Sequence, residues 1–180
     1  MSDHHEKSAN EIEALVLRAA RGGGLPLGLA EDLAMATAYL DLDQIATCPC
    51  HKGGSATSIP TALDLVAAGE GPQTVVADRA TIDAYVASVE HHTKQTLIWE
   101  ATATGAIFQR FEPIKLTLRT PKGRRVLPAA LSDHLTDMAA KTLVPETDAS
   151  RMGGAGAGLT DNDRQRSGER VFGVADTGQI

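Results

Sequence analysis

The run Cys48-Pro49-Cys50-His51 gathers the chain's most reactive side chains, and it holds both cysteines of the 180 residues. Thiolates and an imidazole are suitable ligands for zinc or copper, which makes Cys48, Cys50 and His51 candidate metal ligands. One intervening residue is short of the C-x2-C spacing of a structural zinc knuckle, and there is no second cysteine pair. Further ligands would have to come from His91, His92 or His134. A second chemistry is nucleophilic or redox, with Lys52 and His51 adjacent to favour a thiolate. A third reading is inert: Pro49, Gly53, Gly54 and the Ser/Thr run mark a loop that carries two ordinary thiols.

Two other stretches could hold a ligand. Arg110, Lys115, Arg119, Lys122, Arg124 and Arg125 stand against one acid, Glu112, in a chain of formal net charge -6. On neighbouring strands they could take a phosphate, a carboxylate or an acidic partner. The bland alternative is that charge on exposed strands blocks sheet-to-sheet association. Toward the end, Arg151 precedes Gly153, Gly154, Gly156 and Gly158, and Asp161-Asn162-Asp163 follow. Glycine amides with an arginine can cradle an anion, and the carboxylates could hold a divalent cation. The same composition suits a flexible tail or a docking segment for another subunit. The expected ligand contacts are therefore Arg110, Arg119, Arg125, Arg151, Gly154, Gly156, Asp161 and Asp163. No strand leads into the glycines, so a dinucleotide fingerprint fails, and neither a Walker loop nor a nucleophile elbow occurs.

The elements that must position these residues begin with Ser8 and Glu11, spaced as a capping box. Ile12, Leu15, Val16 and Ala19 recur on one helical face. Gly22-Gly23-Gly24 ends that helix, and Pro26 suits the start of a second, on which Ala30, Ala34 and Ala38 form a small-residue ridge. Thr61 opens a short third helix, TALDLVAAG. Thr74 to Asp78 reads as a short strand, and Ile82, Tyr85, Val86 and Val89 mark a helix over 81–90. His91 and His92 end it, where the dipole favours protonated imidazole. His134, in the first turn of a last helix among acids, reads as exposed. Alternation from Thr96 to Ala103 then signals a half-buried strand. Further strands are expected over 106–111, 115–120 and 124–127, giving a four-stranded meander, before the helix from Ser132.

The runs NEIEALVLRAARGGGLPLGLAEDLA (10–34) and RMGGAGAGLTDND (151–163) resemble an uncharacterised, mainly alphaproteobacterial family, a domain of unknown function. The resemblance implies a bacterial cytoplasmic protein and supplies no activity or site residues.

The fold expected is α+β: an N-terminal helical hairpin and short helices packed on a small antiparallel β-meander sharing one core. Residues 1–7 are expected to be a flexible terminus, 8–145 a single domain, and 146–180 a Gly-rich segment. The acidic balance disfavours nucleic acid. No apolar run is long enough to span a bilayer, and the first residues lack a signal-peptide core. Two cysteines fit a reducing, cytoplasmic setting. No cofactor is implied. The leading function is a non-catalytic accessory protein that binds an anionic metabolite or partner subunit, with homo-oligomer formation compatible. The alternatives are a small enzyme or metal/thiol protein centred on the CPCH run, and a structural subunit docking through the Gly-rich segment.

Overall fold

The computed structural model describes residues 6–42, 48–113 and 119–142. They belong to a compact unit over Met1–Leu143; Val144–Ile180 forms a second unit outside the described residues. The elements are β1 (Glu6–Lys7), α1 (Ala9–Gly22), α2 (Leu27–Ala36) with a 3-10 turn (Thr37–Tyr39), α3 (Ser55–Ala67), β2 (Gln73–Val76), α4 (Arg79–Thr93), β3 (Gln95–Ala101), β4 (Gly105–Pro113), β5 (Arg125–Val126) and α5 (Ala129–Ala140). The α+β class expected from the sequence is the one observed.

The hairpin forms for the reasons its sequence carries. Ser8 N–H donates to Glu11 Oε2 at 2.7 Å, and Glu11 N–H donates to Ser8 Oγ at 3.3 Å. This reciprocal cap satisfies donors that the first turn leaves free. Ile12, Leu15, Val16, Ala19 and Ala20 are buried along α1. Of the three glycines, Gly24 takes the left-handed conformation, with φ +92°, and reverses the chain. Gly22 and Gly23 serve a different purpose. A Cβ on Gly22 would collide with the Met138 carbonyl of α5, and one on Gly23 with the Cys50 carbonyl. The hinge is thus a flat place on which both α5 and the cysteine turn rest.

Three expectations need correction. The third helix begins at Ser55, not Thr61, and carries Pro60 inside it. Gly54 (φ +59°) caps it through its carbonyl, which accepts from Ser58 at 2.9 Å. Thr61 is mid-helix and donates its hydroxyl to the Thr57 carbonyl at 2.8 Å. The proline ring is accommodated in the second turn at the loss of one helical hydrogen bond.

Among the described residues the sheet has three strands and not the expected four-stranded meander. Its order is β2-β4-β3, antiparallel throughout, so β4 is central and the edge comes from Gln73–Val76. A register shift at Ile98/Trp99 breaks the expected alternation in β3. Gly105 opens β4 where a Cβ would strike the Val75 backbone. The strand expected at 124–127 pairs instead with the N-terminus: Glu6 faces Val126 and Lys7 faces Arg125. Glu6 and Lys7 are therefore paired, not free. Most of the strand expected at 115–120 lies outside the described residues, and Arg119 and Thr120 are not in a strand.

One core joins these parts. Ile12, Leu33, Ile59, Ile82, Phe108, Leu127 and Leu135 are its largest fully buried side chains. With few aromatics, alanines such as Ala19, Ala30 and Ala56 let the helices approach closely.

Candidate functional site

Cys48, Cys50, His51 and His134 come together beside the glycine hinge. The turn is anchored by Lys52 N–H, which donates to the Gly23 carbonyl at 3.3 Å. Cys50 is 1% exposed and belongs to the core, whereas Cys48 is half-buried. Both are free thiols. From α5, His134 brings its imidazole to the same place, with ring centroids 6.0 Å from His51. It shares the buried side of α5 with Met138, one turn on, which is 2% exposed. The expectation that His134 is exposed is therefore corrected: Nε2 is buried and makes no hydrogen bond of normal geometry among the described residues.

The two thiols are electrostatically unlike. Cys48 is drawn down to about 6, chiefly because the Cys50 thiol donates to its sulfur; burial opposes this, while the Cys50 backbone and the His134 imidazole assist. Cys50 is pushed strongly upward, first by that same hydrogen bond and then by burial. The pair shares a proton, so its first ionisation belongs to both, with the negative charge residing on the more accessible Cys48. Such a pair presents an accessible thiolate backed by a protonated, buried thiol.

No group of three or more His, Cys, Asp or Glu side chains among the described residues converges to hold a metal ion. His91 and His92 lie at the end of α4, not at the cysteine turn. His92 Nδ1 meets the Ser88 carbonyl at 2.8 Å. Against the dipole argument, the His91 pKa is lowered, first by loss of solvent and then by Lys94 and His92. Tyr39 lies beside it, with ring centroids 6.2 Å apart.

The basic residues are placed separately. Arg110, on β4, bridges to Glu112 at 2.8 Å. Arg119 approaches Asp83 of α4 at 4.0 Å. Arg125 donates to the carbonyls of Thr37 and Leu40 at 3.0 and 2.9 Å, which ties β5 to the 3-10 turn. Its Nε and Nη2 are buried without partners among the described residues, and burial lowers its pKa. Arg151, Gly154, Gly156, Asp161 and Asp163 lie outside the described residues.

Fold and site together define a small α+β protein with an unequal pair of thiols at a helical hinge. The chain is similar, over residues 7–53, to a family described as a protein of unknown function (DUF3726). That match spans α1, the hinge, α2 and the whole cysteine turn, about a quarter of the chain. It contains the first of the two resembling runs and not the second. No curated protein and no solved structure matches. No helix among the described residues is long and apolar enough to cross a membrane.

Proposed function

We propose that this chain is a thiol protein of a reducing compartment, the bacterial cytoplasm, working by thiol–disulfide exchange at Cys48 and Cys50. The observation that carries the reading is the asymmetry of the pair: a half-buried thiol two residues from a fully buried one, both free. In the exchange, the Cys48 thiolate attacks one sulfur of a low-molecular-weight disulfide. That S–S bond breaks, one thiolate leaves, and a mixed disulfide forms on Cys48. Cys50 then gives up its proton to solvent and attacks the Cys48 sulfur. The second thiolate departs. Two electrons pass from the cysteine pair to the disulfide, leaving a Cys48–Cys50 bond and two small thiols.

The test is equilibration with reduced and oxidised glutathione, read by intact mass. The expected product has lost two hydrogens, reverses with excess reduced glutathione, and is absent in Cys50→Ser, which stops at the glutathione adduct. Persistence of both free thiols under oxidised glutathione would refute the reading. Stoichiometric zinc or copper in freshly isolated protein would replace it with a ligand role for Cys48, Cys50 and His51.

A second reading, an accessory protein that binds an anionic metabolite without turnover, is favoured by Arg125. Two of its nitrogens lack partners among the described residues, and it borders an open hollow shared with Lys122 and Arg124. Saturable binding of inorganic phosphate that is lost in Lys122→Ala would support it; binding insensitive to that change would not. Docking of a partner subunit through 146–180 concerns residues outside those described.

A further inference from the structure

A cavity of about 200 Å³ opens between α2, α3 and α4, and none of its lining residues belongs to the cysteine turn. It is smaller than the roughly 300–1,000 Å³ of a site for a drug-sized ligand, so its occupant is a molecule of few heavy atoms. Met35, Leu63 and Val89 contribute apolar wall. The polar groups are mostly acceptors. Asp32 comes from α2 and Asp64 from α3. Loss of solvent raises the Asp32 pKa, and the Asp64 and Glu31 charges raise it further. Two carboxylates facing one cavity repel each other, and a cation between them relieves both.

An independent observation comes from Tyr85. It lines the cavity and is 3% exposed, yet its hydroxyl has no hydrogen-bond partner among the described residues. An unpaired buried hydroxyl is costly, and a ligand that pairs with it recovers that cost. Burial first, then the charges of Asp32 and Cys50, hold the phenol in its protonated form. His92 lines the same wall, its Nδ1 meeting the Ser88 carbonyl at 2.8 Å. The cavity therefore combines two carboxylates and an unpaired phenolic oxygen with an aliphatic wall. An ammonium group supplies three donors and a positive charge to such a set. An anion would meet two like charges, and a neutral hydrocarbon would strip water from the carboxylates without compensation.

We propose that this cavity binds a small primary alkylammonium, with its ammonium group between Asp32 and Asp64 and its carbon chain against Met35, Leu63 and Val89. The class recognised is thus a short aliphatic amine, and neither cysteine lines the site.

The experiment is an NMR titration of the full chain with n-butylammonium, n-butanol and butyrate at matched ionic strength, following the Leu63 and Val89 methyl groups and the Tyr85 ring. Saturable shifts are expected with the amine alone. Asp32→Asn should weaken binding by about tenfold or more, the scale of one lost charged hydrogen bond. Asp64→Asn, at an exposed position that the core does not need, should weaken it in the same direction. The proposal is overturned if the amine produces no saturable shift, if butanol matches it, or if both carboxamide variants bind as tightly as the parent.

Discussion

Replacing Cys50 with alanine should return Cys48 toward the ionisation of an ordinary thiol, because the Cys50 thiol is the largest influence holding Cys48 down. An unperturbed thiol ionises near 8.5, against about 6 for Cys48 in the pair. The effect is partly hidden at neutral pH. At about pH 7 the parent is roughly nine-tenths thiolate and an ordinary thiol roughly one-thirtieth. The more basic thiolate is, however, the better nucleophile by about tenfold on a Brønsted slope of about 0.4. The net loss in rate is then only about threefold. At about pH 6 the ionised fractions are roughly one-half and one part in 300, so the loss grows to about fifteen-fold. These are upper limits, because the Cys50 backbone and His134 remain in the variant. The assay is alkylation of Cys48 by iodoacetamide across a pH series, read on its peptide by mass spectrometry. Cys50→Ser keeps a donor beside the sulfur and should keep the midpoint close to the parent's. A parent midpoint near that of a free thiol, or no difference between the alanine variant and the parent, would refute the reasoning.

Three further outcomes follow from the geometry. Ser8→Ala removes the side-chain half of the α1 cap and should lower stability by about 1 kcal/mol in urea denaturation. Gly23→Ala drives a methyl against the Cys50 carbonyl and the Met138 side chain. It should cost about 1–3 kcal/mol and also shift the Cys48 alkylation midpoint, whereas Gly28→Ala, with open space around it, should do neither. Asp32 has a raised folded pKa, so folding favours its protonated form, and its contribution to stability is present at low pH and lost as pH rises through the folded value. Asp32→Asn should therefore stabilise the protein at neutral pH, and thermal melts should show the gain vanish below the ordinary carboxylate range, about pH 4.

The helical hairpin was legible because its determinants are local. The Ser8/Glu11 box, the stripe from Ile12 to Ala19 and the glycines at 22–24 all act within a few residues of themselves. The sheet was legible only in part. Hairpin β3–β4 follows from its own alternation, but the place of Gln73–Val76 beside β4 and the pairing of Val126 with Glu6 depend on distant partners. At the site, chemistry was visible and assembly was not. Cys48 and Cys50 announced themselves by type and spacing. That Cys50 would be buried and His134 turned inward depends on α5 crossing the glycine hinge. The one available signal was the buried side of α5, on which His134 and Met138 are one turn apart. Arg125 shows a part that spacing does not reveal: one of its nitrogens ties β5 to the 3-10 turn through the carbonyls of Thr37 and Leu40.

The clasp between β1 and β5, together with α5 lying along α1, sets the order in which the molecule can be assembled. As the chain leaves the ribosome, α1 and α2 can meet at once through neighbouring residues. The far side of α1 then waits, bare, until four strands and two helices have been synthesised and α5 arrives. During that interval the cysteine turn lacks His134, so that imidazole's share in favouring the Cys48 thiolate is added only when the last helix docks.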